Sequence, residues 1–290
     1  MRKKAFKAES KRLLDMMIHS IYTHKEIFLR EIISNASDAI DKLSYLSLTD
    51  DKVGLSRDDF EIRLTVDKEK RLLTVSDNGI GMSAEELENN LGVIASSGTF
   101  QFRKDTEGQE TDADVIGQFG VGFYSAFMVA DQITVVTRKY GEAEAHRWES
   151  AGVDGYTVEP CEKETAGTDI IMHIKADEEG EDNEYSRYLE PYTLSGLVKK
   201  YSDYIRFPIR MMMSHSQRKE GSPDDKPEYE DVWELETLNS MKPLWQRKKS
   251  EVMQEEYDKF YQDTFGDYTP PLSVITVSAE GAVTYKALLF

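Results

Sequence analysis

Glu31, Asn35 and Asp38 fall at i, i+4 and i+7 in the run Glu31-Ile32-Ile33-Ser34-Asn35-Ala36-Ser37-Asp38. A helix would carry all three on one face. Ile32, Ile33, Ala36 and Ile40 fall on the other. A carboxylate and an amide one turn apart suit two tasks. The carboxylate can orient or deprotonate an attacking water. The amide oxygen can ligate Mg2+, which favours hard oxygen donors. A plain solvated polar stripe has the same pattern, so this run alone decides nothing.

Three further runs add to it. Asp77-Asn78-Gly79-Ile80-Gly81-Met82 follows a strand-like segment. A carboxylate there, with glycine backbone beside it, can accept from an exocyclic amine such as that of adenine. Asp-Asn-Gly also favours ordinary turns. Gly117-Gln118-Phe119-Gly120-Val121-Gly122 opens a helix. Such glycines let N–H groups converge on an anion at a helix N-terminus. The spacing matches neither a Walker loop nor a Rossmann fingerprint. Gly167-Thr168-Asp169-Ile170-Ile171 puts a Gly-Thr at the start of a strand.

The elements that must position these runs are legible in the periodicity. Residues 10–46 read as helical, with a break near Thr23-His24. Phe60 to Val66 alternate as a strand, and Arg71 to Ser76 return as its hairpin partner. Ser83-Ala84-Glu85-Glu86 carries a capping-box signature, predicting a helix to about Leu91. The small, polar stretch from Gly92 to about Gly117 reads as a mobile lid. An apolar helix follows Gly120, then strands near 132–138, 145–149, 156–159 and 168–174, an acidic loop over 177–184 and a helix over 190–204. Residues 214–230 are polar, with Gly and Pro, and read as a short charged linker. The expected domains are therefore 1–213 and, past the linker, 231–290. The chain ends on the apolar run 284–290, which predicts that the second domain continues past Phe290.

Composition excludes several classes. A net charge of −18 over 290 residues opposes general binding to nucleic acid or to an acidic membrane surface. The one cysteine, Cys161, can form no internal disulfide and no cysteine-based zinc site. The five histidines show no HxxxH or HxH spacing. No stretch approaches the length of a membrane helix, and no apolar core follows the basic N-terminus. These features predict a soluble cytoplasmic protein in a reducing compartment.

The four runs, in this order, resemble the ATP-binding superfamily that joins DNA gyrase B, the heat-shock protein 90 chaperones, sensor histidine kinases and the MutL mismatch-repair proteins. The runs 27–39, 89–92, 97–99 and 116–125 look like heat-shock protein 90 itself. Lys242-Pro243-Leu244-Trp245 is similar to the start of its middle domain. The short linker resembles the bacterial form. The resemblance spans residues 6–290. It implies a Bergerat (GHKL) fold of the α/β class: a two-layer α+β sandwich with a mixed, mostly antiparallel sheet, helices on one face, and the start of a second α/β domain.

The resemblance also implies roles. Glu31 would orient the water that attacks the γ-phosphate. Asn35 would bind Mg2+. Asp77 would recognise the adenine amine, and Thr168 would share a bridging water with it. Asp38 would lie beside the adenine waters. Gly81 and Met82 would line the pocket, with Phe123 an aromatic wall and Asn90 near the sugar and phosphates. Gly117, Gln118, Phe119, Gly120, Val121 and Gly122 would form the phosphate turn at the lid hinge. Many relatives carry a lysine where this chain has Ser96, which puts one phosphate or ribose contact in doubt. The implied function is an ATP-dependent chaperone that hydrolyses ATP to ADP. Lid closure would favour pairing of two N-terminal domains in a full-length homodimer acting on unfolded client proteins. The family's γ-phosphate arginine and its dimerisation domain would lie beyond Phe290, so hydrolysis by this chain is expected to be slow. Two other readings remain: a DNA-directed ATPase of the gyrase B or MutL type, against which the charge counts, and a histidine kinase, against which the carboxylate of Glu31 counts.

Overall fold

The computed structural model describes residues 24–92, 122–152, 155–180, 183–219, 222, 228–281 and 284–290. The predicted helix segment before Thr23, the lid and Gly117 to Val121 lie outside them. The chain divides into two compact units, Met1–Asn239 and Ser240–Phe290.

The first unit is built on one eight-stranded sheet. Its strands are β1 (Ile62–Asp67), β2 (Leu72–Asp77), β3 (Ala130–Arg138), β4 (Ala145–Ser150), β5 (Tyr156–Cys161), β6 (Gly167–Ile174), β7 (Ile209–Arg218) and β8 (Tyr229–Thr237), in the order β5-β4-β3-β6-β2-β1-β7-β8. Every pair is antiparallel except β1 with β7. The sheet is thus mixed and mostly antiparallel, as expected.

Alternation along the strands gives the sheet one buried face. Ile62 and Leu64, Leu73 and Val75, Ile133 and Val135, Ile170 and Met172, and Ile209 and Met211 all point into the core. Helix α1 (Ile27–Ser47) supplies the other layer, burying Phe28, Leu29, Ile32, Ile33, Ala36, Ile40 and Leu43. At about 25 cal/mol per Å2 of apolar surface removed from water, a stripe of that size is the main force holding helix to sheet. Helix α2 (Ala84–Leu91) begins where the sequence placed it. Ser83 Oγ accepts from the Glu86 N–H at 3.2 Å, and the Glu86 carboxylate accepts from the Ser83 N–H at 2.8 Å. Gly122–Met128 winds as a tighter 3-10 helix, and every residue after Gly122 is buried. Helix α3 is Pro191–Tyr201, with its proline in the first turn.

The domain boundary differs from the sequence reading. Residues 214–218 are the end of β7, and 229–237 form β8, paired from Arg210↔Thr237 to Arg218↔Tyr229. The described ends of the segment read as a linker are therefore paired strands of the first unit, and 231–239 belongs to that unit too. The hairpin left no signature because β8 is the sheet edge and β7 is exposed past Met213. Strands with little burial need no apolar alternation. Asn239 closes the unit: its side chain accepts from the Ile209 N–H at 2.9 Å and donates to the carbonyls of Ile205 and Phe207 at 2.9 and 3.0 Å.

The second unit holds α4 (Gln254–Phe265) and the hairpin of β9 (Ile275–Ala279) with β10 (Tyr285–Leu289). Trp245 packs edge-on against Phe260, and Phe290 stacks on it.

One contact sets the spacing between helix and sheet. The Ile80 N–H, just past β2, donates to the Ala39 carbonyl of α1 at 3.0 Å. A Cβ on Gly79 would lie 2.5 Å from the Ala39 carbonyl carbon and 2.6 Å from the Ile40 nitrogen. Both are backbone atoms that cannot swing aside. Gly79→Ala is expected to cost at least about 2 kcal/mol, a fall of roughly 4–8 °C in Tm. Thermal unfolding followed by circular dichroism measures it, and an unchanged Tm would refute the close packing.

Candidate functional site

The buried sheet face turns polar at one end. Asp77 closes β2 and pairs with Thr168 of β6, which pairs in turn with Thr137 of β3. All three side chains are buried, Thr137 completely. They continue the rows formed by Val75, Ile170 and Val135, so the same alternation that builds the core delivers them to its rim. A polar group buried without partners is costly, and these have partners. Asp77 Oδ1 accepts from the Gly79 N–H at 2.9 Å. The hydroxyls of Thr137 and Thr168 lie 3.0 Å apart. The Met82 N–H donates to Thr137 Oγ1 at 3.0 Å.

The loop after β2 is held from four sides. Asn78 accepts from the Glu61 N–H at 3.0 Å and donates to the Asp59 carbonyl at 2.7 Å. Ile80 bonds Ala39 on one side, and its carbonyl accepts from the Tyr140 N–H at 2.7 Å on the other. Gly81 has φ +66° and packs against the Arg138 carbonyl. Met82 is half-buried, its sulfur 3.9 Å from the Asn90 amide nitrogen of α2.

Helix α1 lies against this loop at Ala39 and Ile40. Asp38 is buried, next to the Ala39 carbonyl that holds the loop. Asn35 is half-buried one turn earlier, and Glu31 one turn before that. Seven residues put Glu31 about 10 Å along the axis from Asp38, so the two carboxylates lie at different ends of the face. Glu31 Oε1 accepts from Arg30 Nε at 3.0 Å. Its other oxygen lies under Gly122, where a Cβ would be 2.5 Å from Oε2. Phe123 is buried, edge-on to Trp148 at 5.5 Å between ring centres.

The structure therefore brings Asp77, Gly81, Met82, Asn90 and Thr168 together at one end, and Glu31 with Gly122 at the other. Gly117, Gln118, Phe119, Gly120 and Val121 lie outside the described residues, as does Ser96. Thr137, Asn78 and Gly79 were not assigned roles from the sequence. Thr137 reads there as one more β-branched strand residue, and only the cross-strand register shows that it meets Thr168.

A Mg2+ ion fits the chemistry of these donors. Among the described residues no cluster of three or more His, Cys, Asp or Glu could hold a metal by itself. Mg2+ commonly takes one or two protein oxygens and completes its shell with phosphates and water, and the Asn35 amide oxygen is such a donor.

Comparison with known proteins shows the family. The profile of the family described as "Histidine kinase-, DNA gyrase B-, and HSP90-like ATPase" matches residues 22–178, more than half of the chain. The chain belongs to that ATPase family. A second profile, "Hsp90 protein", matches residues 217–290. The chain is 54% identical over all 290 residues to the chaperone protein HtpG of Clostridium botulinum (strain 657 / Type Ba4) and to that of Bacillus subtilis (strain 168). It is also 54% identical, over 288 residues, to that of Alkaliphilus metalliredigens. In each case it spans 45% of the relative's length.

Desolvation is the largest influence on the Asp77 carboxyl and pushes it up to about 7, with the Gly79 amide opposing and Asp169 adding to the rise. The consequence for stability has a definite sign. Between the ordinary carboxylate value and about 7 the folded protein keeps a proton that the unfolded chain releases. Stability from this group is therefore full at low pH and falls as pH rises through that window. Asp77→Asn stays neutral throughout and can still accept from Gly79. Its Tm relative to wild type is expected to rise between pH 4.5 and pH 8, and calorimetric scans with a constant gap would contradict the burial of an ionisable group here.

Proposed function

We propose that this chain is the nucleotide-binding part of an ATP-dependent molecular chaperone, and that it binds ATP and ADP with Mg2+ and hydrolyses ATP. The observation that carries the reading is the buried row Asp77–Thr168–Thr137 set against the face of α1 that bears Glu31 and Asn35. Relatives 54% identical are chaperone proteins, which supports the chaperone role. The DNA-directed alternative is disfavoured by the net charge of −18 and by those relatives.

The Asp77 carboxylate accepts from the adenine amine, with Thr168 beside it. Met82 and Asn90 bound the base and sugar, and Phe123 forms a wall. Asn35 holds Mg2+, which neutralises phosphate charge. Glu31 orients the attacking water and accepts its proton, while Arg30 holds one of its oxygens and so restricts its rotation. Nucleotide binding then shifts a conformational equilibrium and hydrolysis resets it. In the longer protein this favours association of two N-terminal units in a homodimer that acts on unfolded clients in the cytoplasm.

Calorimetric titration with ADP and Mg2+ tests the site. Wild type is expected to bind, and Asp77→Asn to lose binding. Glu31→Ala is expected to keep its affinity and lose turnover by at least about a hundredfold. Gly122→Ala displaces the tip of a flexible side chain and not backbone, so it should leave Tm nearly unchanged while lowering turnover. Full turnover by Glu31→Ala, or tight binding by Asp77→Asn, would overturn the assignment.

A further inference from the structure

Thr137 is the best-connected hydroxyl at the polar end of the sheet, and the nucleotide reading gives it no contact with the ligand. Its Oγ1 is 3.0 Å from the Met82 nitrogen, 3.1 Å from the Gly167 carbonyl oxygen and 3.0 Å from Thr168 Oγ1. A hydroxyl has one proton and two lone pairs. The Met82 N–H can only donate, so it takes one lone pair. The Gly167 carbonyl can only accept, so it takes the proton. One lone pair is left for Thr168, so the proton in that contact must come from Thr168. No other assignment makes all three contacts hydrogen bonds. The group is fully buried, where an unmade hydrogen bond is costly.

The consequence falls on Thr168. Its proton is committed to Thr137, inside the sheet, and only lone pairs remain for a ligand. Asp77 pairs with Thr168 across the strands and has one oxygen engaged by Gly79. Ionised, as it is above about pH 7 where the comparison below is made, it too offers only lone pairs. We propose that Thr137 is a positioning residue for base selection: by holding the Thr168 proton, it makes this end of the site acceptor-only and so selects a 6-aminopurine over a 6-oxopurine. A 6-oxo group brought to the same place would set lone pairs against lone pairs. The inference rests on the nucleotide-site reading and deepens it.

The probe is the pair ADP and inosine diphosphate, which differ only at the 6-position and the N1 proton it controls. Affinities of the 290-residue chain with Mg2+ are compared, above about pH 7, for wild type, Thr137→Val and Thr137→Ser. Valine keeps the β-branch and removes the hydroxyl, freeing the Thr168 proton to turn toward the ligand. The preference for ADP should fall by about tenfold, the worth of one neutral hydrogen bond. Serine keeps the hydroxyl and should keep the preference. A merely structural Thr137 would weaken both ligands equally in the valine variant, and that unchanged ratio would overturn the proposal. So would a serine variant that behaves like valine. If wild type binds neither ligand, the nucleotide reading itself fails, which is a distinct outcome. Independently of any variant's folding, the Thr168 hydroxyl proton of the wild-type ADP complex should be visible by NMR, slow to exchange and close to Thr137. Fast exchange of that proton with water would refute the assignment.

Discussion

The site depends on one carboxyl group taken out of water at the rim of an apolar layer. Asp77 continues the inward row of β2 after Leu73 and Val75, so it is buried by the same alternation that buries them. Left alone, such a group would be a defect. It is tolerated because backbone N–H groups donate to it and because protonation relieves the charge. A ligand that brings a hydrogen-bond donor to this point gains from a group already desolvated. It does not have to displace the group's own hydration. The fold thus stores part of the cost of recognition in advance.

Holding that carboxyl opposite α1 requires backbone at close range. The loop from Asp77 to Met82 is bonded to α1 through Ala39, to the start of β1 through Asn78, and to β3 and the residues after it through Thr137 and Tyr140. Three separate elements therefore agree on where one loop lies. The absence of a side chain at Gly79 lets the helix approach, and its absence at Gly122 lets Glu31 lie beneath that residue's backbone. The first position sets the width of the site. The second sets the direction of the reactive group.

The polar face of α1 serves the two ends differently. Asp38 is buried beside the base-reading loop, whereas Glu31 is more open and paired with Arg30. One helix with a single periodic pattern can supply both, because each turn advances the face by a fixed rise. Both ends of the face are thus carried on one rigid helix.

The periodicity at 27–47, the capping box at Ser83 and the alternation at 62–67 were legible because each is a local rule read over a few residues. The spacing of Glu31, Asn35 and Asp38 and the glycines beside Asp77 were legible too, but each run also had a plain structural reading, and only their order along the chain pointed to a nucleotide site. Two things were decided only in three dimensions. The edge hairpin of β7 and β8 has too little burial to leave an alternating pattern, so a strand pair passed for a linker. Thr137 lies 31 residues before Thr168 and 55 after Met82, and no periodicity links those three positions. Sheet order and register bring them within hydrogen-bond reach, since pairing between distant strands is a property of the folded surface and not of any stretch of chain.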